Sequence, residues 1–463
     1  MNKPCSRCGH YFPLISLKLF CIVFCNNHHE IVSVYRCPDT YSLLSSVAAP
    51  FGAEVDTGIN RLLFEVGLKM NKIRIGMTGA RLGAELHLDN YKGFRGSEVE
   101  ITGVCSRSRE SAEACAKKYD IPFVTTNFEE LLNRPDVDVI DICVPPSLHH
   151  PFAIKAAEAG KHLIMEKPLT GYFGEKGDAE PIGDKVSRVK MLEGARENAR
   201  AIRDAVRKNK VLLCYAENWV YAPPIAKLRR LIQAAVGGRI LDLRAQESHS
   251  GSSSMFSKHW KNAGGGSLIR MGVHSVGACL HLKDFEGRIK DGKPIKPVSV
   301  IADTAVLMKS EAAARSGKKW ITADPADVEN WANVSITFDD GSKGLVTVTD
   351  AGLGGLNTTV DVRMTNATLR ANMTQNDTVQ TYAPDDSVFR DEYFTEKLET
   401  RAGWNSPSAD EGWFRGFIQE IADFVSAIRE QREPLAGIDL AVDCVEVIYA
   451  AYLSAAEGRR VDL

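Results

Sequence analysis

From Lys72 onward the chain alternates short apolar runs with amphipathic stretches. KIRIGMTG reads as a buried strand ending in glycine, VEITGVCSRS as a second strand, SRESAEACAKKY as a helix, and DVDVIDICVPP as a strand closed by prolines. PFAIKAAEAGK predicts a helix with glycine at its C-terminus, HLIMEKP a strand, VKMLEGARENARAIRDAVRKN a long helix and VLLCYAENW one further strand. Strands alternating with helices imply a parallel sheet joined by right-handed crossovers. Residues 171–188, GYFGEKGDAEPIGDKVSR, have no helical period and predict a polar, glycine-rich loop at the strand ends.

Beyond Tyr221 the pattern changes. NVSITFDDGSKGLVTVTD alternates apolar and polar residues about an Asp-Asp-Gly turn, a hairpin with one face buried, and TTVDVRMTNATLRANM continues the alternation. The expected fold is therefore an α/β domain with a parallel sheet, followed by an α+β domain with a large, open, mainly antiparallel sheet. Phe414, Phe417, Ile418, Ile421, Phe424, Val425 and Ile428 recur at helical spacing, a stripe suited to core or to a subunit interface.

A chain of 463 residues exceeds what one core usually organises, so two folded domains are expected. Its net charge of −2 argues against nucleic acid or an anionic membrane as partner. Cys5, Cys8, Cys21, Cys25 and Cys37 crowd the start, whereas the remaining six cysteines are scattered through apolar segments, as reduced core residues of a cytoplasmic protein are. CSRCGH is half of a zinc pattern with no second half of matching spacing, so no metal site is expected. The apolar run YFPLISLKLFCIVF contains Lys18 and is too short to span a membrane. Met70 stands immediately before the patterned sequence. Residues 1–69 are expected to be a poorly structured tail outside the chemistry, with one domain over residues 70–219 and another over 220–463.

Two segments carry candidate chemistry. In IGMTGARLGAELH, Gly76 and Gly79 lie where the first strand must turn sharply into a helix whose amide groups could meet a pyrophosphate. The match to Gly-x-Gly-x-x-Gly is imperfect: Arg81 takes the second glycine position, where its charge suits an anion, and Ala84 the third. The second strand ends in Ser106 and Arg107 rather than an acid, which favours the 2′-phosphate of NADP over the ribose hydroxyls of NAD. In GGGSLIRMGVH, Arg270 and His274 are four residues apart in a helix entry and should share one face. By itself the pair is equally a solvated arginine and a satisfied helix histidine.

EKP at Glu166–Pro168, the block VPPSLHHPFAIKAAEAGKHLIMEKP, AENWVYAPP and GGGSLIRMGVH together resemble the glucose-fructose oxidoreductase, inositol dehydrogenase and rhizopine catabolism family, Gfo/Idh/MocA. The resemblance extends from about Lys72 to Leu463. It implies a Rossmann domain, a second domain whose open sheet often builds homodimers or homotetramers, a carbohydrate-like substrate, and NAD(P)-dependent oxidation or reduction at a CH–OH group. Pro145, His149, Glu166 and Lys167 fall at cofactor positions of that pattern. Lys167 and His274 match its catalytic positions, and Asn218, Tyr221 and Trp260 match substrate-facing ones. The chain departs from the pattern at Arg270, where aspartate is usual. Arginine donates hydrogen bonds only, so it is expected to clamp substrate carboxylate, phosphate or hydroxyl groups, with Glu247 and His249 as substitute proton carriers. Two other activities fit the same residues: a bound-NAD enzyme that cleaves glycosides through transient oxidation, and a non-catalytic sugar or nucleotide sensor.

Overall fold

The computed structural model describes residues 72–94, 98–252, 254–318, 320–374 and 378–463. Of the preceding chain it describes only the strands β1 (Phe20–Phe24) and β2 (Ile31–Arg36), paired antiparallel with Phe20 opposite Arg36. These two strands lie inside the stretch expected to be a poorly structured tail, and the CSRCGH motif falls outside the described residues.

The first sheet contains β3 (Ile73–Thr78), β4 (Val99–Cys105), β5 (Phe123–Thr125), β6 (Val139–Ile142), β7 (His162–Glu166) and β8 (Leu213–Ala216), all parallel, in the order β5-β4-β3-β6-β7-β8. Strands covered by helices on both faces bury all their side chains, which is why β6 reads Val-Ile-Asp-Ile and buries every position. Helices α1 (Leu82–Tyr91), α2 (Arg109–Tyr119), α3 (Phe128–Leu132), α4 (His149–Glu158) and α5 (Arg188–Asn209) make or flank the crossovers. The order reverses between β3 and β6, and ligands of doubly wound sheets bind in the crevice at such a reversal.

The second sheet runs β14-β13-β9-β12-β11-β10-β17, formed by β9 (Ile240–Ser248), β10 (Pro297–Ala305), β11 (Trp331–Phe338), β12 (Lys343–Thr349), β13 (Asn357–Met364), β14 (Thr368–Asn372) and β17 (Val461–Asp462). Every pairing is antiparallel except β9 with β12. A small hairpin, β15 (Thr381–Ala383) with β16 (Gly403–Asn405), stands apart. Alternate residues of β11 are buried from Ala332 to Phe338, as the period-2 pattern requires. Helices α6 (Pro223–Ala234), α7 (Ser267–Arg270), α8 (Gly272–Asp291), α9 (Phe417–Glu430) and α10 (Ile438–Glu457) belong to this half; α8 lies against β9 and β12, and α10 packs on both β10 and α5. Among the described residues no helix is long and apolar enough to cross a membrane.

Three local expectations change. The loop over residues 171–188 contains one helical turn, Ile182–Lys185. The stripe begun at Phe414 is interrupted at Gly416, whose φ is +90° and where a Cβ would lie 2.4 Å from the Ala222 amide nitrogen, so α9 starts at Phe417. Within the stripe Ile421, Phe424, Val425 and Ile428 are buried, whereas Ile418 is exposed.

Candidate functional site

The turn after β3 shows why glycine stands at position 79. Its φ is +94°, its amide donates to the Cys105 carbonyl at 2.8 Å, and a Cβ would sit 2.4 Å from the Cys143 carbonyl oxygen. Gly76 lies inside β3 and makes room for Leu131, 3.1 Å from its would-be Cβ, so it serves packing of α3. Arg81 is exposed in extended conformation at the start of α1, and no side chain caps the helix. Its uncapped first turn, with Leu82 73% exposed, fits a dinucleotide pyrophosphate.

At the end of β4, Ser106 is half-buried, Arg107 is exposed, and the Ser108 hydroxyl caps α2 by accepting from the Ser111 amide at 3.3 Å. Pro145 precedes a single 3-10 turn, Pro146–Leu148. His149 is buried, with Nδ1 2.7 Å from the Pro168 carbonyl and Nε2 2.9 Å from the Val144 carbonyl. That imidazole ties the exit of β6 to the exit of β7.

The exit of β7 carries the EKP turn. Glu166 Oε2 accepts from the Lys167 amide at 2.9 Å, and Lys167 Nζ donates to the Arg270 carbonyl at 3.0 Å. The glycine-rich entry opposite is shaped by Glu329, which accepts from the Gly266 and Leu268 amides at 2.9 and 2.8 Å and from the Tyr452 hydroxyl at 3.0 Å. A Cβ on Gly266 would lie 1.8 Å from the Glu329 carbonyl oxygen, so the approach requires glycine. From the other side the Tyr449 hydroxyl donates to the Gly264 carbonyl and accepts from the Tyr172 amide, each at 2.7 Å.

Arg270 and His274 do not share the single helical face expected of them. Helix α7 ends at Arg270, Met271 breaks the path with φ −117° and ψ −46°, and α8 starts at Gly272. Arg270 consequently pairs with Asp350, while His274 Nδ1 lies 2.7 Å from Glu217 Oε1. His274 and Glu217 are buried, and the Trp219 ring stacks on the imidazole at 5.7 Å. Gly277 makes the pairing possible, since a Cβ there would approach Glu217 Cγ to 3.0 Å. Among the described residues, four buried polar atoms of this region have no hydrogen-bond partner, namely Glu217 Oε2, Glu247 Oε2, Arg270 Nε and Asp350 Oδ1, the last lying 3.6 Å from His249 Nδ1. Buried polar atoms of this kind are normally satisfied, so the arrangement is suited to a polyhydroxylated ligand.

Burial pushes the Glu247 carboxyl above its ordinary range, against the pull of His274 and Lys167. His249 is driven down to about 4, chiefly by burial, and Nδ1 accepts from the Gly251 amide at 2.8 Å, so the ring is neutral and its Nδ1 is not free to take a proton. Asn218 donates to the Arg415 carbonyl at 2.9 Å. The Tyr221 hydroxyl donates to Asp423 at 3.0 Å and accepts from the Ala436 amide at 2.9 Å, and Trp260 is buried beneath the Arg188 guanidinium with its indole N–H on the Tyr172 carbonyl. The structure thus joins Lys167 to the Arg270 backbone, turns Arg270 and His274 to different acids, sets Asn218 next to Glu217, and engages Tyr221 and Trp260 in the scaffold. Sequence reasoning missed Glu217 and Asp350. Glu217 sits inside the quoted AENWVYAPP, but nothing local marks it as a partner of His274.

Residues 73–178 match the family described as oxidoreductase family, NAD-binding Rossmann fold, and residues 225–370 match the GFO/IDH/MocA C-terminal domain. Levoglucosan dehydrogenase of Pseudarthrobacter phenanthrenivorans is 26% identical over 344 residues, covering 71% of this chain and 80% of that protein. The 1,5-anhydro-D-fructose reductase of Ensifer adhaerens is 29% identical over 162 residues, 34% of this chain and 49% of that one. Among solved structures, GenD2 from gentamicin A biosynthesis in complex with NAD superposes with a TM-score of 0.68 at 25% identity, covering 85% of this chain and 97% of that one. A levoglucosan dehydrogenase complex with NADH and levoglucosan shares the fold with a TM-score of 0.63 at 22% identity, over 85% of this chain and 99% of that one.

Proposed function

Because the chain belongs to the Gfo/Idh/MocA family of NAD-binding oxidoreductases, we propose that it moves a hydride between NAD(P) and a secondary hydroxyl or ketone carbon of a sugar, cyclitol or glycoside. The observation that carries this reading is the buried Glu217–His274 pair, whose imidazole and the Lys167 ammonium both act on the buried Glu247 carboxyl. The bound dinucleotide supplies the hydride acceptor or donor. In oxidation the substrate hydroxyl loses its proton to His274; Nδ1 is committed to Glu217, so Nε2 takes the proton. The Glu217 carboxylate stabilises the imidazolium that forms, and the Lys167 ammonium donates a hydrogen bond to the reacting oxygen.

Arg270 enters this site already paired with Asp350. A neutralised guanidinium is a poor trap for an anion, so Arg270 Nε and Asp350 Oδ1 together favour neutral hydroxyls over a carboxylate or phosphate. Glu247, whose carboxyl burial raises above its ordinary range, adds hydrogen-bonding oxygens to the same wall. Ser106 and Arg107, with no acid at the strand end, support acceptance of the NADP 2′-phosphate. Among the described residues, six unpaired cysteines, five of them buried, support a reducing compartment, and exposed Leu241 and Ile301 in the second sheet support a homodimer or homotetramer.

The test is a screen of neutral sugars, sugar acids and cyclitols with each cofactor, followed at the absorbance of reduced nicotinamide, with Lys167→Ala and His274→Ala alongside. Net reduction of added cofactor by a neutral polyol, lost by about a hundredfold or more in each variant, is expected. Turnover of a glycoside without net cofactor reduction would defeat the proposal.

A further inference from the structure

Beneath the EKP turn lies a buried chain of ionisable groups that the proposed proton transfer does not use. His87, on α1, sits between two carboxylates: Nδ1 is 2.9 and 3.0 Å from the two oxygens of Asp141 on β6, and Nε2 is 3.5 Å from Glu166 Oε1 at the end of β7. Both ring nitrogens thus face acceptors, an arrangement that only the imidazolium, with two N–H donors, matches. The groups around it are also accounted for. The Tyr91 hydroxyl donates to Asp141 at 2.8 Å, the Cys143 thiol lies 3.4 Å from the same carboxylate, and Glu420 of α9 is buried.

Glu166 is the end of this chain that meets solvent: its side chain is 22% exposed, against 5% for His87 and none for Asp141. It stands at the carboxyl end of a central strand, adjoining Lys167, and Oε1 would lie 3.9 Å from a Cβ on Gly83 in the first turn of α1. It therefore faces the crevice where the uncapped helix start fits a dinucleotide.

We propose that the Asp141–His87–Glu166 chain holds a permanent negative charge at the cofactor site, and that this charge makes the protein bind the oxidised, cationic nicotinamide in preference to the neutral reduced one. Two carboxylates and one imidazolium leave one negative charge within the chain, displayed at Glu166, while the neighbouring Lys167 turns its ammonium to the Arg270 carbonyl. Burial alone would raise the Glu166 carboxyl, but the hydrogen bond and charge of His87, followed by the charge of Lys167, outweigh it and hold it at about 2. His87 itself is raised well above the ordinary histidine range by Asp141 despite burial, and burial lifts the Glu420 carboxyl well above the carboxylate range. His87 is in this sense a positioning residue acting through Glu166, and the preference concerns the cofactor's oxidation state, independent of which substrate is used.

The experiment measures equilibrium dissociation constants of the oxidised and reduced dinucleotides at pH 6, 7 and 8, without substrate, for the wild type, Glu166→Gln and His87→Gln. The wild type is expected to show a constant preference for the oxidised form. Glu166→Gln should lower that preference about tenfold at every pH, by removing the charge. His87→Gln should exceed the wild-type preference near pH 8, where two carboxylates stand without the imidazolium, and approach Glu166→Gln as the pH falls, because Glu166 without its imidazolium takes up a proton in its largely buried setting. Equal weakening of both cofactor forms in the two variants, or no change in either, overturns the inference. Should His87→Gln not fold, Glu166→Gln alone decides, since it keeps the His87–Asp141 pair intact.

Discussion

Replacing Glu217 by glutamine tests the proton-transfer reading most directly. The substitution keeps the shape and one carbonyl-type oxygen, so His274 Nδ1–H can still donate across the 2.7 Å contact, but it removes the charge. In the buried pair the carboxylate gives a charge-assisted hydrogen bond worth about 1.5–3 kcal/mol, roughly twice a neutral one, and its advantage grows as the imidazolium forms. Because the amide keeps a neutral bond of about half that worth, about 0.8–1.5 kcal/mol is lost from the transition state, and kcat falls by roughly 4- to 13-fold at 1.36 kcal/mol per decade, while KM changes little. Steady-state kinetics on the substrate found in the screen, with reduced nicotinamide as the readout, give both constants. A kcat within threefold of the wild type, or a loss confined to KM, would show that His274 does not exchange a proton in the rate-determining step. Single-turnover measurement of the hydride step in the same variant removes any masking by slow product release.

Two further outcomes follow from other parts of the molecule. Arg107→Ala should weaken NADP about tenfold or more relative to NAD, and equal weakening of both in a direct binding titration would remove the case for a 2′-phosphate contact. His281 is held at about 3, chiefly by burial and secondarily by Arg229, against an unfolded value of 6.5. Its unfolded form therefore gains a proton first, and stability present above pH 6.5 is lost as the pH falls toward 3. His281→Gln, which keeps an acceptor for the Arg229 donor 3.0 Å away, should retain about 2 kcal/mol more stability at pH 5 relative to pH 7 than the wild type does. Urea melts at the two pH values check this, and an unchanged pH dependence refutes it.

The parallel strands were legible because each is a short apolar run between helix signals, and the β11–β12 hairpin because Asp-Asp-Gly interrupts a clean alternation. Lys167 and His274 were legible through the EKP and glycine-rich segments. Their partners were not, because Glu217 reaches His274 across 57 positions and Asp350 reaches Arg270 across 80, distances at which no periodicity operates. The placing of Arg270 and His274 on one face failed for a different reason. Residues 267–277 have a helical pattern throughout, and only Glu329 capping the first turn and the tight packing of Gly272 on Leu268 reveal that two helices meet at Met271. Gly76 illustrates the same limit on motif reading: it occupies a fingerprint position, yet its missing side chain makes room for Leu131.

The phenol of Tyr449 joins the Tyr172 amide to the Gly264 carbonyl, and so holds the segment after the EKP turn against the entry to the His274 helix. Tyr449 is translated long after every residue assigned a chemical role. A nascent chain that already contains Lys167, Glu217 and His274 therefore has the reagents but not the clasp that registers them, and the pocket assembles only when α10 has left the ribosome. Nonsense mutations or proteolytic clipping between Asp350 and Tyr449 should accordingly behave as complete losses of the catalytic centre, although no residue assigned a chemical role has been removed.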